Sequence, residues 1–343
     1  MRLFSLTCSD LAREMNRHYG KGLHHAAAIY REIFKKGNDS FTEAPELLRS
    51  PALAARLAED VRFPSCRIVS LQQDAGVVKF ASTLHDGLTI ESVIIPGNGR
   101  TTLCLSCQVG CRMGCTFCTT GRIGFARNLE TEEIVWQVHA ARFALGYRID
   151  NIVFMGMGEP LDNFDQVLQA VRVLSDQRGF DVALSHMTLS TAGHVEGLHK
   201  LAALRLSKLR LAVSLNAADN RLRSSLMPIN RTFPLERLAE SLRGFPLARD
   251  GVVLIEYVLL AGINDSRQNA LQLIRYLVDL PPVRVNLIPY NADARSRYRS
   301  PSPEHVREFA SWLTDGKVFT RVRHSHGRKI MAGCGQLGAT LAS

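Results

Sequence analysis

The chain has 343 residues, 46% hydrophobic and 22% charged, a composition that excludes disorder and leaves room for one large domain with appendages or two ordinary ones. No apolar run approaches the roughly 18 residues that a membrane helix needs, and the N-terminus MRLFSLTCSDLAREMNRHYG lacks the apolar core and cleavage site of a signal peptide, so a cytoplasmic protein without a membrane partner is expected. A formal net charge of +10 points to a polyanionic partner, nucleic acid above all. Residues 1–65 read as a helical module. Over 23–34 (LHHAAAIYREIF), Ala26, Ile29, Tyr30 and Ile33 share one face, and a second helix covers 51–59. Over 66–101 the pattern changes to short apolar runs, 67–71, 77–81 and 89–95. Asp86-Gly87 and Gly97-Asn98-Gly99 punctuate them as turns, which predicts a small antiparallel β extension.

From 102 to 343 strands and helices alternate. Strand 102–106 is followed by helix 132–145, with Thr131 as the expected N-cap and Glu132 and Glu133 in the first turn. Strand 151–155 precedes helix 164–175, strand 186–190 precedes helix 195–204, and strand 209–214 precedes helices 221–226 and 235–242. Strand 252–259 is paired with helix 266–280 and strand 283–288 with helix 303–314, and a last short strand covers 318–322. Six such units in a row mean an α/β fold with a parallel sheet and helices outside, either an open doubly wound sheet or a partial barrel. In both, ligands sit at the C-terminal ends of the strands. The polar and glycine-rich segments fall there: CQVGCRMGCTFC, GMGEP, STAGH, SLNAAD, LAGIND and PYNAD.

Five of eight cysteines, Cys104, Cys107, Cys111, Cys115 and Cys118, crowd into fifteen residues after the first of these strands. In a large intracellular chain such a cluster favours metal or catalytic roles over structural disulfides. The last three read C-x3-C-x2-C, and three thiolates can hold three corners of a four-iron, four-sulfur cluster while leaving one iron open. The alternative is a four-thiolate zinc site from Cys104-x2-Cys107 and Cys115-x2-Cys118. Its two pairs are only seven residues apart, and it leaves Cys111 over. At the second strand end, the glycines of Gly156-Met157-Gly158-Glu159-Pro160 permit close backbone approach, and Glu159 can accept from an ammonium group. Ser190, the Ser214-Leu215-Asn216 segment and Asn291 lie at later strand ends and suit ribose hydroxyls or a carboxylate, although each singly also reads as a turn residue. Cys334, flanked by glycines in AGCGQLG, is poorly placed for core packing and free to reach back over the strand ends.

A C-x3-C-x2-C loop on this fold resembles the radical S-adenosylmethionine superfamily. The ordered segments LCLSCQVGCRMGCTFCTTGRIGFARNL, VFMGMGEPLDN, TLSTAG, LAVSLNAAD, LMPINR, EYVLLAGINDS, VNLIPYN and AGCGQL resemble the RlmN/Cfr family of radical RNA methyltransferases over about residues 20–340. The resemblance implies a partial (βα)6 radical-SAM barrel with the helical module and β extension attached. It implies a [4Fe-4S] cluster on Cys111, Cys115 and Cys118, and two S-adenosylmethionine molecules per turnover. Their binding would involve Gly158, Glu159, Ser190, Ser214, Leu215, Asn216 and Asn291, with Phe117 near the adenine. The implied reaction is methylation of an adenine ring carbon, C2 or alternatively C8, in 23S ribosomal RNA or transfer RNA. Such a carbon has neither an acidic proton nor a nucleophile to offer, which is why a radical route is needed. Cys334 would carry the methyl group, and Cys104 would take the ring proton and resolve the adduct through a transient disulfide with Cys334. Glu91 matches an acid/base position of the family. Read without the resemblance, it is a solvent-facing strand carboxylate.

The target base must be splayed out to reach such a site. The helical module and the basic clusters ARSRYRS (294–300) and RVRHSHGRK (321–329) would grip the RNA backbone. A flavodoxin or ferredoxin is the expected electron donor, and the chain is expected to act as a monomer. The pattern departs from the family at three points: Asn216 replaces a histidine, Lys329 and Met331 replace acidic residues before Cys334, and Cys107 replaces a serine. These mark a divergent branch. The readings that compete are a radical enzyme of the same fold on another substrate and a non-catalytic, zinc-stabilised RNA-binding protein.

Overall fold

The structure is a computed structural model; it describes residues 1–97, 99–293, 295–323 and 327–338. Asn98 of the predicted turn, Ala294 of the first basic cluster and 324–326 of the second lie outside the described residues. The strands are β1 (Arg67–Asp74), β2 (Val77–Thr83), β3 (Thr89–Gly97), β4 (Arg100–Cys104), β5 (Gln108–Gly110), β6 (Phe125–Asn128), β7 (Asn151–Phe154), β8 (Met187–Thr191), β9 (Arg210–Ser214), β10 (Val253–Leu259), β11 (Val283–Pro289) and β12 (Thr320–Val322).

Among the described residues, ten of these form one sheet in the order β1-β2-β3-β4-β7-β8-β9-β10-β11-β12. From β4 to β12 every pairing is parallel; β1 to β4 are antiparallel. β4 is therefore the seam, with Cys104 opposite Val93 of β3 on one side and Val153 of β7 on the other. The parallel strands carry runs such as Ile152–Phe154 and Leu211–Val213 because helices cover the outside and the cavity side is itself largely enclosed. The flanking helices are Thr131–His139, Phe164–Ser175, Val195–Ala203, Asn220–Leu226, Leu235–Arg243, Arg267–Leu277 and Pro303–Asp315. This is the α/β partial barrel expected, and no helix among the described residues is long and apolar enough to cross a membrane.

The N-terminal helices Cys8–Tyr19, Leu23–Lys36, Pro45–Leu48 and Pro51–Asp60 pack on the outer barrel helices. Phe4 meets Phe34 at 5.0 Å and His139 at 5.1 Å between ring centroids, and the Cys8 amide donates to Asp176 at 2.8 Å. One expected cap is corrected. Glu130, not Thr131, caps helix Thr131–His139, in a box with Glu133, because the Thr131 hydroxyl is taken by Gln166 at 2.8 Å. The β5–β6 ribbon was not anticipated. Its strands are three and four residues long, too short to show a periodicity, and they bracket the cysteine loop.

Candidate active site

The cysteine loop leaves β4 and is fastened residue by residue. The Leu105 amide donates to Val153 O at 2.9 Å, the Ser106 amide to Gln137 Oε1 at 2.9 Å, and the Cys107 amide to Met157 O at 2.8 Å. Asn163 Nδ2 donates to the Cys107 carbonyl at 2.8 Å. The ribbon then turns the chain around: the Cys111 amide donates to Gly124 O at 2.8 Å, and the tip docks by the Thr116 amide on Leu226 O at 2.9 Å. The result is that Cys104, Cys111, Cys115 and Cys118 line one cavity at the C-terminal ends of the strands. Cys107 does not line it; its side chain is buried in the core behind the loop. Burial pushes the Cys111 thiol up to about 12 and the Cys115 thiol well above its ordinary value, with neighbouring thiols adding to both.

This donor set fits a cluster rather than a single ion. A cubane takes each thiolate on a different iron, so its ligands stand apart around a volume. Cys107, needed for the zinc alternative, faces the core.

The expected nucleotide side lies across the same cavity. Gly158 has φ +105°, and a Cβ there would stand 2.6 Å from Gln108 Cβ, so a glycine is what lets this loop lie on the cysteine loop. Glu159 is buried; Oε2 accepts from the Ala192 amide at 2.7 Å and Oε1 from the Leu161 amide at 3.1 Å. Burial raises its carboxyl to about 7 despite these donors. Ser190, Ser214 and Asn216 line the cavity. Asn216 sits in the left-handed region at φ +60° and braces the loop: Oδ1 accepts from the Val258 amide at 2.8 Å and Nδ2 approaches Met227 Sδ at 3.2 Å. Leu215 is core, and its backbone is engaged as well: its amide donates to Glu256 O at 3.0 Å and its carbonyl accepts from the Ala217 amide at 2.8 Å and from Arg223 Nε at 3.0 Å. Asn291 is buried beside the cavity, donates to the Cys334 carbonyl at 3.3 Å, and keeps its own Oδ1 buried without a partner. An orphaned acceptor at this place is what a bound donor would satisfy. Phe117 also lines the cavity.

Cys334 closes the cavity opposite Cys104, more than two hundred residues away in sequence. Its accessible surface faces the cavity, and burial by the surroundings still pushes its thiol up to about 11, with Glu256 adding to the effect. Burial raises the Cys104 thiol further, and Cys334 is the next cause. Both are free thiols. The segment is not loose: the Thr119 amide donates to Gly335 O at 2.7 Å and Thr120 Oγ1 to Leu337 O at 2.7 Å. Glu91 departs from the solvent-facing reading. It is fully buried, paired with Lys79, and lies outside the cavity lining. The sequence also gave no hint of two residues. Glu256 of β10 lines the cavity while Asn286 donates to it at 2.7 Å. Arg223 is fully buried behind the cysteine loop, donating to Leu215 O at 3.0 Å, Ala192 O at 2.7 Å, Ser214 O at 3.3 Å and Asn230 Oδ1 at 2.9 Å.

Residues 105–274 match the family model of the Radical SAM superfamily. A probable dual-specificity RNA methyltransferase RlmN 1 of Protochlamydia amoebophila is 42% identical over 336 residues, covering 98% of this chain and 93% of that protein. A dual-specificity RNA methyltransferase RlmN of Syntrophobacter fumaroxidans is 43% identical over 323 residues, 93% of each. The crystal structure of a radical SAM methyltransferase from Sphaerobacter thermophilus superposes with a TM-score of 0.90 at 37% identity, covering 99% of both chains.

Proposed function

Because the chain belongs to the RlmN family of radical SAM RNA methyltransferases, we propose that it methylates a ring carbon of adenine in RNA. The position proposed is C2, with C8 the alternative, in 23S ribosomal RNA and transfer RNA. One observation carries the reading. A single cavity gathers Cys111, Cys115 and Cys118, the loop of Glu159, and the separate pair Cys104 and Cys334. Three thiols suit the cluster, and two others are left over for group transfer.

When bound, the cluster and S-adenosylmethionine supply the methyl group and the one-electron chemistry that an unactivated aromatic carbon requires, two molecules per turnover. The residues of the chain do the rest. Cys111, Cys115 and Cys118 hold the cluster. Glu159 receives the ammonium of the methionine moiety, Ser190 and Ser214 take hydroxyl or carboxylate oxygens, and Asn291 Oδ1 accepts a donor it otherwise lacks. Cys334 carries the methyl group as a thioether. Cys104, as its thiolate, would take the proton shed by the ring carbon; its sulfur would then lose that proton and bond to the Cys334 sulfur as the Cys334–carbon bond breaks, the one electron released going to the one-electron chemistry that the cluster supplies, which frees the methylated base and leaves a disulfide. The apolar walls, Phe117, Met227, Val258 and Ile288, keep water from these intermediates. The charge of +10 supports a polyanionic substrate. The loop that bears the first basic cluster lies against the cysteine loop, with Tyr298 OH 2.7 Å from Thr116 Oγ1.

The test is mass spectrometry of ribosomal and transfer RNA from cells with and without the gene. The expected result is a methyladenosine that disappears with the gene and is not restored by a Cys334→Ala variant. Unchanged RNA, with labelled methyl accumulating on Cys334, would favour a radical enzyme acting on another substrate.

A further inference from the structure

Glu91 and Lys79 form an ion pair that nothing in the chemistry above uses. They sit on neighbouring antiparallel strands, where Ala81 of β2 faces Glu91 of β3, so Lys79 reaches Glu91 diagonally from two residues along. Lys79 Nζ lies 3.1 Å from Glu91 Oε1, and the two side chains are only 2% and 0% exposed. Removing two charges from water is costly, and among the described residues the Lys79 ammonium has no hydrogen-bond partner beyond this ion pair. The carboxylate is engaged further by the C-terminal segment. The Gly338 amide donates to Glu91 Oε2 at 2.6 Å, four residues beyond Cys334. The Glu91 backbone carbonyl meanwhile accepts from Ser106 Oγ at 2.6 Å, two residues beyond Cys104. One residue therefore fastens the segment of Cys334 to the strand next to the one that ends at Cys104.

We propose that Lys79 and Glu91 are positioning residues, a buried latch that seats the Cys334 segment over the cavity. This rests on the reading of Cys334 as the methyl carrier. Geometry separates it from a direct acid/base role. Cys104, Cys334 and Glu256 line the cavity; Glu91 does not. Its carboxylate points instead at a lysine and at the backbone of the segment. Three further contacts assist: the Thr119 amide and the Thr120 hydroxyl hold Gly335 O and Leu337 O at 2.7 Å each, and Asn291 Nδ2 holds Cys334 O at 3.3 Å. The latch adds the charged contact at the far end. It fixes how far the segment can lift without involving the cluster loop.

The test compares Lys79→Met, Glu91→Gln and the double variant in the full-length, iron-loaded protein. Two readouts need no turnover: hydrogen exchange of the amides of residues 335–338, and proteolytic cleavage within the C-terminal segment, both followed by mass spectrometry; Cys334 itself is exposed in the parent, so its alkylation does not report opening. Each single variant breaks the buried pair, and exchange and cleavage of the segment are expected to quicken about tenfold or more as local opening becomes easier. kcat for methyl transfer should fall while KM for RNA stays. In the double variant the pair is replaced by two neutral side chains, and the glutamine carbonyl still accepts from Gly338. Protection of the segment and turnover should both recover well above the single variants. If Lys79→Met does not fold, Glu91→Gln and the double variant still decide the matter. The proposal is overturned if the segment 335–338 is as protected in the variants as in the parent. It is equally overturned if Lys79→Met keeps its turnover while Glu91→Gln and the double variant both lose it with protection unchanged, the pattern of a proton acceptor. Failure of the underlying reading looks different: Cys334 of the parent protein is then never methylated, whatever the protection of the segment.

Discussion

Two regions face each other across the cavity and are held by different proportions of the same physics. The strand ends and the cysteine loop are continuous with the core, through Ile152, Phe154, Leu189, Leu211, Val213, Ile255 and Leu287, all buried. The segment 327–338 has only a three-residue helical turn of its own and reaches that core through Ala332, Leu337 and the flank of Ile330; the rest of its seating is side-chain and backbone hydrogen bonds. A region with many buried apolar side chains opens only with the whole fold, whereas one with two or three of them and a few polar contacts opens more readily. Cluster and methyl carrier are thus separable. The largest effects should show this. Cys115→Ala should cost the iron and all turnover together. Cys334→Ala should abolish methyl transfer yet leave iron content and the unfolding midpoint as they are. Iron lost from Cys334→Ala would break the comparison.

Arg223 sharpens it from the barrel side. Its guanidinium gathers the carbonyls of Ala192, Ser214 and Leu215 at the ends of β8 and β9, and Asn230, with no carboxylate among these partners. Burial lowers its pKa to about 10, which leaves it charged at neutral pH. Arg223→Met removes the guanidinium from four acceptors, of which Leu215 O keeps the Ala217 amide, and should cost about 3–5 kcal/mol in urea unfolding. Because the cysteine loop rests on the same segment at Leu226, iron retention should fall with stability. Arg223→Lys should recover only part of the loss, since an ammonium cannot span the same fork of acceptors. Equal stability in all three proteins would remove Arg223 from the frame.

The two regions were unequally legible in the sequence. Parallel strands covered on both faces read as unbroken runs of Val, Ile and Leu, so the alternation of β4 and β7–β11 with helices was visible residue by residue. Cys111, Cys115 and Cys118 stood out as candidate cluster ligands because spacing is the chemistry of such a loop, and the structure brings all three to one cavity. What the sequence hid was contact between distant residues. The burial of Glu91 depends on β3 being covered on both faces, which TIESVIIP alone does not reveal. Glu256 becomes a cavity residue only because β10 lies between β9 and β11. The expected Thr131 cap failed for a similar reason, because Gln166, on another helix, takes its hydroxyl.

A smaller effect reads the electrostatics of the cavity. The Glu159 carboxyl, with an ordinary value of 4.5, is raised to about 7 by burial. The unfolded chain releases this proton near 4.5, while the folded chain keeps it to about 7. Its contribution to stability is therefore full below 4.5, falls between 4.5 and 7, and stays low above. The shift corresponds to about 3 kcal/mol. Urea unfolding of the parent and of Glu159→Gln at several pH values isolates it. The advantage of the parent should shrink by about 3 kcal/mol from pH 4.5 to pH 8. A gap independent of pH would show that the carboxyl is not held in a raised state. Saturating S-adenosylmethionine should flatten the slope, since an ammonium beside Glu159 favours the ionised form at every pH.

The smallest expected effect concerns Cys107, the thiol that stands where the family has serine. A thiol at this position has two conceivable targets, the iron of the cluster and the proposed Cys104–Cys334 disulfide. The structure sets it apart from both partners. Its side chain belongs to the core and is 2% exposed, and its amide and carbonyl are taken by Met157, Leu129 and Asn163. A buried thiol of this kind behaves as a small hydrophobe. Cys107→Ser then puts a hydroxyl into an apolar site, at about 1 kcal/mol, reduced further if the hydroxyl finds a nearby carbonyl. Iron content should be unchanged, and so should the yield of the Cys104–Cys334 disulfide, measured by mass spectrometry under non-reducing conditions. A rise in either on removing Cys107 would mean that its backbone anchors release it during assembly, and that the cysteine loop is less firmly built than the segment it faces.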